Sequence, residues 1–206
     1  MSTSSRSGYH HGDLRASALT SAMAMLEAGE PFSLRAVARD VGVSAPALYR
    51  HFADRDALES ALAAEGLRDL LTDLATDRQP MATAADLADL AVAYVAFALR
   101  RPALFRVMFG KPCDTENDER VAAADRIHGL LEAAVAQAFP AAEAGALADA
   151  GWAFAHGMAS LYLDGKLRAD SDEAIAAHVR SAFSAMLSIR PPAPEHASED
   201  SPRTGC

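Results

Sequence analysis

Apolar residues recur along most of the chain with the three- and four-residue spacing of amphipathic helices. Alanine is the commonest residue and runs of β-branched residues are nearly absent, which favours helix over strand. The first periodic segment predicts a helix over residues 13–28, ended by Gly29 and Pro31. Its inward face is formed by Leu14, Ala18, Ala22, Met25 and Leu26. The predicted fold class is therefore all-α.

Two short helices joined by a glycine turn are predicted next. Ser33 is the expected N-cap of one helix, and Gly42 ends it; Ser44 is the expected N-cap of the other, which extends to about Phe52. Their inward positions are Leu34, Val37, Ala38, Val41, Val43, Leu48 and Phe52. Two short capped helices with a tight turn are typical of a helix-turn-helix, whose second helix enters the DNA major groove.

The rest of the chain predicts longer helices and then a polar tail. A helix capped by Asp54 carries a leucine stripe to Leu74, and a fifth helix extends through Ala98 after a break at 77–80. A loop is expected at 110–117. The other helices are expected at 101–109, 118–139, 142–163 and 172–189. The expected organisation is an N-terminal arm (1–8), a helix-turn-helix domain (9–60), a helical effector-binding and dimerisation domain (61–190) and a disordered tail (191–206).

Charge distribution changes how the acidic composition is interpreted. The 206 residues have a net charge of −9, but residues 1–60 account for only −1, which permits DNA binding. Two cysteines, Cys113 and Cys206, do not make a disulfide framework, and no apolar run is long enough to cross a membrane. With no hydrophobic secretory start, a cytoplasmic protein is expected.

The predicted second helix of the helix-turn-helix ends in Leu-Tyr-Arg-His-Phe (48–52), and Asp-Arg-Asp-Ala-Leu (54–58) follows. In both features the segment resembles the DNA-binding domain of the TetR family of regulators. Tyr-His-His-Gly-Asp-Leu-Arg (9–15), with Trp152 and His156-Gly157, resembles members that have a WHG-type C-terminal domain.

That resemblance implies roles for individual residues. Ser44 and Tyr49 match phosphate-contacting positions, Arg55 matches a basic one, and Pro46 and Ala47 match positions at base edges. The expected DNA-binding residues are Arg35, Ser44, Ala45, Pro46, Ala47, Tyr49, Arg50, His51 and Arg55. Because Ala45, Pro46 and Ala47 have no side-chain hydrogen-bonding group, base contact should be apolar. Specificity then depends on Arg50, DNA shape, or Arg6 of the arm in a minor groove.

Trp152 and His156 lie one helical turn apart, and two interpretations of the pair are open. They are either a core tryptophan with a satisfied histidine, or one wall of an effector pocket with the histidine as its polar group. The expected ligand-binding residues are Tyr94, Phe97, Phe105, Met108, Phe109, Trp152 and His156. The expected effector is a small and largely apolar molecule.

The segment 142–161 is apolar or small nearly all round, so one chain's core cannot cover every face of it. Small residues at Gly145, Ala148, Ala155 and Ala159 would permit close approach of a second helix. With the last helix, this segment is expected to form a four-helix homodimer interface.

Other chemistry has little support. Adjacent His10 and His11 point apart, and no cluster has metal-ligand spacing, so neither a metal nor a cofactor is expected. Cys113 has no neighbouring resolving cysteine, and no phosphate loop or nucleophile–base set is found. The sequence predicts an operator-binding repressor released by a small molecule. The alternatives are a constitutive DNA-binding dimer without an effector and a helical enzyme.

Overall fold

The computed structural model describes residues 11–75, 81–110 and 118–189, and the regular secondary structure within them is helical. The helices are α1 (His11–Glu27), α2 (Leu34–Asp40), α3 (Ala45–Tyr49), α4 (Arg55–Ala75), α5 (Ala84–Arg100), α6 (Pro102–Phe109), α7 (Asp118–Ala138), α8 (Ala144–Leu163) and α9 (Asp172–Leu187). The all-α prediction is confirmed. The arm, the break at 77–80, most of the loop at 110–117 and the tail lie outside the described residues.

Short polar side chains start the helices of the head, which is the name used here for α1–α3 and the N-terminal half of α4. The Ser33 hydroxyl accepts a hydrogen bond from the Ala36 amide at 3.2 Å, and the Asp54 carboxylate accepts one from the Ala57 amide at 2.8 Å. Gly42 has φ +72°, a left-handed conformation that lets the chain turn sharply between α2 and α3.

Helix α3 is shorter than predicted. It ends at Tyr49 rather than near Phe52, because the chain tightens into a turn after Leu48. The Leu48 carbonyl accepts hydrogen bonds from the amides of both His51 and Phe52, at 2.9 and 3.1 Å. Arg50 and His51 therefore lie in the turn that leads to α4.

Two hydrophobic cores lie side by side, and α4 contributes to both. The core of the head includes Leu58 and Leu62 of α4, whereas the second core begins at Ala63 and includes Leu67 and Leu70. In the second core, α8 and α9 both pack on the central helix α5. A single continuous helix thus connects the two parts of the molecule.

Ion pairs also connect the two parts. At the start of α6, Arg101 donates from Nε to Glu27 of α1 at 2.6 Å and also pairs with Asp69 of α4. At the start of α7, Glu119 accepts from Arg15 of α1 and Arg68 of α4, each at 3.0 Å. Helix α1 is therefore held to α4, α6 and α7 by two separate charge clusters.

Candidate nucleic-acid interface and ligand cavity

Helix α3 and the turn after it present a mixed apolar and basic surface to solvent. Leu48 is fully buried and fixes the inward face, whereas Tyr49 is 45% exposed. Pro46 and Arg50 are exposed, and the neighbouring Ala45, Ala47 and His51 are half-buried. The solvent-facing residues of this segment are therefore the ones that the sequence pattern predicted to face outward.

Ser44 occupies the N-cap position of α3, but its hydroxyl makes no capping hydrogen bond. The Ser44 carbonyl instead accepts from the Ala47 amide at 2.9 Å, and the residue is exposed. The expected cap position is confirmed, whereas the expected side-chain cap is not.

Arg35 and Arg55 lie on either side of α3 in the sequence, and both are exposed. The guanidinium of Arg55 lies 5.1 Å from the centre of the Phe32 ring, and its Nε donates to Glu59 at 2.8 Å. These contacts hold the base of the Arg55 side chain against α4 and Phe32, although the side chain remains 62% exposed. Sequence reasoning identified the residue but not its partner Phe32, which is 23 positions away.

The second part of the molecule contains a cavity of about 240 Å³, partly open to solvent, between α4, α5, α6, α7 and α8. Its wall is almost entirely apolar. The lining residues are Leu67, Leu70, Tyr94, Met108, Phe109, Arg120, Ala124, Ile127, His128, Leu131 and Trp152. A second void of about 40 Å³ shares Tyr94, Leu131 and Trp152 with it and is too small for more than a water-sized guest.

Four of the seven residues expected to bind a ligand line this cavity: Tyr94, Met108, Phe109 and Trp152. Phe105 and His156 stack on each other at 5.3 Å and are not in the lining. Phe97 is buried elsewhere, beneath the guanidinium groups of Arg100 and Arg101, and does not reach the cavity.

Three polar side chains form a hydrogen-bonded row beside the cavity. The Trp152 indole N–H donates to the Tyr94 oxygen at 3.3 Å, and the Tyr94 hydroxyl is hydrogen-bonded to Nδ1 of His156 at 2.9 Å. Burial raises the pKa of Tyr94 and lowers the pKa of His156, so both side chains are neutral near pH 7. The row therefore holds Tyr94 in place without adding a charge.

Of the two interpretations of this pair, the cavity-wall interpretation fits Trp152 and the satisfied-histidine interpretation fits His156. Trp152 is 42% exposed and lines the cavity, so it is not an enclosed core tryptophan. His156 is half-buried and already has a hydrogen-bond partner, as expected for a satisfied histidine.

Sequence reasoning missed the contribution of α7 to the cavity. Arg120, Ala124, Ile127 and Leu131 recur at i, i+4, i+7 and i+11 and line it along one face of the helix. That spacing is visible in the sequence, but the arginine at its start gave no sign of being buried. Arg120 is 5% exposed, and its guanidinium donates to the Met108 carbonyl at 2.7 Å.

Two family models match the chain. The model described as bacterial regulatory proteins of the tetR family matches residues 21–62, and the tetracyclin repressor-like C-terminal domain matches residues 87–188. The chain belongs to the TetR family. A TetR-family chain is a DNA-binding transcription regulator rather than an enzyme, and the helix-turn-helix lies within the first matched segment.

Solved structures share the TetR-family fold. A protein of unknown function from Rhodococcus sp. RHA1 is 33% identical, with 86% of this chain and 97% of that chain covered and a TM-score of 0.71. NalD, the secondary repressor of the MexAB-OprM multidrug efflux pump in Pseudomonas aeruginosa, is 20% identical, with 84% and 95% covered and a TM-score of 0.56. A TetR variant from Acinetobacter baumannii AYE, in complex with minocycline, is also 20% identical, with 87% and 97% covered and a TM-score of 0.57. No curated protein matches the chain.

Two negative findings apply to the described residues of this TetR-family chain. Within 11–75, 81–110 and 118–189, no group of three or more histidine, cysteine, aspartate or glutamate side chains could hold a metal ion. No helix in the same ranges combines the length and apolar character needed to span a membrane. Both His10 and Cys113 lie outside these ranges.

Proposed function

We propose that this TetR-family regulator is a homodimeric repressor that leaves its DNA operator when a small molecule occupies the 240 Å³ cavity. The observation that carries the proposal is the course of α4. Leu58 and Leu62 of this helix pack in the head, and Leu67 and Leu70 of the same helix line the cavity. A ligand that changes the position of α4 in the cavity also changes the position of the head.

The mechanism requires that the ligand prefer one of two conformations of the dimer. Operator binding needs two α3 helices about 34 Å apart, the spacing of successive major grooves. Tilting of α4 by a bound ligand would alter this spacing. The cavity also borders α6 and α7, whose first turns are joined to α1 by Arg101 and Glu119, so the ion pairs provide a second connection.

Two structurally similar proteins support the proposal that this chain represses transcription and binds a small molecule. NalD is named as a repressor, and the Acinetobacter baumannii TetR variant is a complex with minocycline. By analogy, we assign repression and small-molecule binding to this chain. The alternative of a constitutive DNA-binding dimer would be favoured by a filled core, whereas the cavity favours effector control.

Homodimer formation is supported by the exposed side of α8. Small residues and one leucine form a stripe at helical spacing along this side: Ala146, Ala150, Ala153, Gly157 and Leu161. Leu161 is 43% exposed, and the stripe has no charged side chain. Pairing this stripe and α9 with a second copy would cover apolar surface that one chain leaves in water.

The expectation about which small residues meet across the dimer is wrong in part. Ala148, Ala155 and Ala159 are 2%, 4% and 0% exposed because they face their own chain's core. Ala148 and Ala155 line the 40 Å³ void between α4, α5, α7, α8 and α9. These buried alanines cannot contact a second chain. In the proposal, the exposed stripe on the other side of α8 forms the dimer contact instead.

The proposal is tested by selecting bound fragments from a random pool of duplex DNA with the full-length protein. We expect a two-fold symmetric site and an affinity that falls steeply as salt concentration rises. An Arg50→Ala variant should lose affinity for the selected site. Arg168→Ala, which changes an arginine between α8 and α9, should not. Failure to enrich any site, or an affinity independent of salt, would contradict operator binding.

A further inference from the structure

Two voids lie next to each other in the second part of the molecule. The 240 Å³ cavity borders α6 and α7 and is partly open to solvent, whereas the 40 Å³ void borders α9. Tyr94 of α5, Leu131 of α7 and Trp152 of α8 line both of them. These three side chains therefore form a shared wall, with the cavity on one side and the smaller void on the other.

Trp152 is the least enclosed member of the shared wall. It is 42% exposed, and its indole N–H donates to the Tyr94 oxygen at 3.3 Å, which is long for a hydrogen bond of this kind. Tyr94, in contrast, is 3% exposed and is also held by His156. Turning the Trp152 ring therefore breaks one weak hydrogen bond, leaves Tyr94 in place and connects the two voids.

The polar side chains of these walls already have partners within the protein. The Tyr94 hydroxyl takes part in two hydrogen bonds, and the Arg120 guanidinium is engaged, including a hydrogen bond to the Met108 carbonyl at 2.7 Å. Nδ1 of His128 lies 3.7 Å from Asp149. Among the described residues, no carboxylate lines either void. A charged ligand group would lose water here without gaining an unengaged partner, so the walls favour an uncharged ligand.

The smaller void suits the end of a hydrocarbon chain. Apart from the hydrogen-bonded Tyr94 and Trp152, its wall consists of aliphatic side chains, Gly151, Phe183 and Met186. A dry protein cavity of about 150 Å³ is known to accept benzene. By proportion, the 240 Å³ cavity accommodates about ten non-hydrogen atoms and the 40 Å³ void one or two more. A ring does not fit the smaller void, whereas the last carbons of an unbranched chain do.

We propose that the effector is an uncharged single-chain amphiphile of about eleven non-hydrogen atoms. Its hydrocarbon end passes Trp152 into the 40 Å³ void, and its polar end stays in the open part of the 240 Å³ cavity. This rests on the proposed function, in which occupation of the cavity controls operator binding. Of the two voids, only the smaller is lined by α9, so an extended chain contacts Phe183 and Met186, which a compact guest does not reach.

Trp152 provides a direct readout of occupation. It is the single tryptophan of the chain and lines both voids, so its fluorescence reports a ligand there without any DNA present. The full-length protein is titrated with unbranched primary alcohols from hexanol to dodecanol. Affinity should rise about fourfold with each added CH₂ up to about decanol, which has eleven non-hydrogen atoms, and then level off. Decanoate and decylamine should bind no more tightly than decanol.

A variant that fills the smaller void tests where the chain end lies. Ala148 is 2% exposed and lines this void, so Ala148→Val places two further carbons in it. The variant should bind decanol at least fourfold more weakly and hexanol as before. Ala133→Val is the matched control, since it makes the same change at an exposed alanine of α7. If Ala148→Val does not fold, a crystal structure of the unaltered protein with decanol still decides, because the last carbon should contact Phe183.

Each outcome has a distinct meaning. Binding of none of the alcohols, or tighter binding of decanoate or decylamine than of decanol, would overturn the ligand class. Unchanged decanol binding by a folded Ala148→Val variant, or a chain end outside the smaller void, would contradict the path past Trp152. Decanol is then added to a complex with a selected DNA site, and we expect release of the DNA. Binding of decanol without release would refute the effector mechanism while leaving the ligand class intact.

Discussion

At the residue scale, the outer face of α3 combines an exposed tyrosine with small side chains that have no hydrogen-bonding group. Tyr49 is held at the end of the helix by the burial of its neighbour Leu48, so its ring and hydroxyl point away from the core. Ala47 and Pro46 form the part of the face nearest the start of the helix. Affinity and base preference should therefore depend on different residues.

We predict that Tyr49→Ala lowers affinity for all DNA sequences alike, by about tenfold or more, because its inferred partner is a phosphate. Tyr49→Phe keeps the ring and loses only the hydroxyl, so it should show most of the same loss. Ala47→Gln should instead change which bases are selected. Binding isotherms on a selected site and on unrelated duplex measure both effects. A change in base preference by Tyr49→Ala at unaltered affinity would contradict the phosphate contact.

The sequence predicted which way a side chain faces where the buried residues that orient it are close by in the chain. It did not predict side-chain pairs whose two members are far apart in the chain. Leu48 and Phe52 define the orientation of α3 within five residues. The hydrogen bond from Tyr94 to His156 spans 62 positions, and the salt bridge of Arg15 with Glu119 spans 104. Such pairs depend on how helices cross, which periodicity does not determine.

At the element scale, the close contact of α4 with α6 depends on Gly66. A Cβ at this position would lie 2.7 Å from the Met108 sulfur and 3.0 Å from a methyl group of Leu104. The space that Gly66 leaves beside α4 is therefore filled by Met108, whose side chain also lines the cavity.

We predict that Gly66→Ala lowers the free energy of unfolding by about 1 kcal/mol, because overpacking outweighs the gain in helix propensity. Displaced Met108 should also reduce the cavity volume and weaken ligand binding. Gly129→Ala is the control: nothing lies within 4 Å of its new Cβ, so it should stabilise α7 by up to about 1 kcal/mol. Urea unfolding measures both variants, and equal stabilisation by the two would refute a tight α4–α6 contact.

Most helix boundaries could be predicted because capping residues and glycines are local signals. Ser33, Gly42 and Asp54 mark ends that the structure retains within a residue or two. The cavity could not be predicted in the same way. The cavity forms where helices are too far apart for their apolar side chains to fill the space between them, and the sequence does not show where that happens. Phe97 is an example: it is a large aromatic residue of the kind that lines pockets, but it packs under two arginines instead.

At the scale of the whole molecule, Glu119 joins three helices through Arg15 and Arg68. Partial burial acts to raise the pKa of Glu119, but the two guanidinium groups outweigh it and hold the pKa below its usual value. A carboxyl group with a lowered pKa in the folded state stabilises the fold above its unfolded pKa, and this contribution is lost as the pH falls through the folded value.

We therefore predict that Glu119→Gln lowers the free energy of unfolding at pH 7 by up to about 1 kcal/mol, since the pairs are largely exposed. The difference from the unaltered protein should begin to shrink as the pH falls below 4.5, the usual pKa of a glutamate, and should be lost as the pH passes through the lower pKa of Glu119 in the folded protein. Denaturant unfolding at a series of pH values measures it. A difference that persists unchanged in acid would show that the ion pairs do not contribute.

The second whole-molecule prediction concerns the dimer. Ala150→Arg or Ala153→Arg should separate the subunits without unfolding them, because each places a charge on the exposed stripe of α8. Ala136→Arg, at an exposed alanine of α7, is the control. Sedimentation at micromolar concentration should show a dimer for the control and a monomer for the two variants. A monomeric wild-type protein, or variants that remain dimeric, would contradict the proposed interface.

The passage of α4 through two separate cores has a consequence for thermal denaturation. Leu62 and Ala63 are neighbours in sequence but belong to different hydrophobic cores, which we expect to unfold as separate cooperative units. Heating should therefore produce two overlapping calorimetric transitions instead of one. A molecule that fills the cavity stabilises by mass action only the unit that encloses it, so it should move one heat-absorption peak upward and separate it from the other.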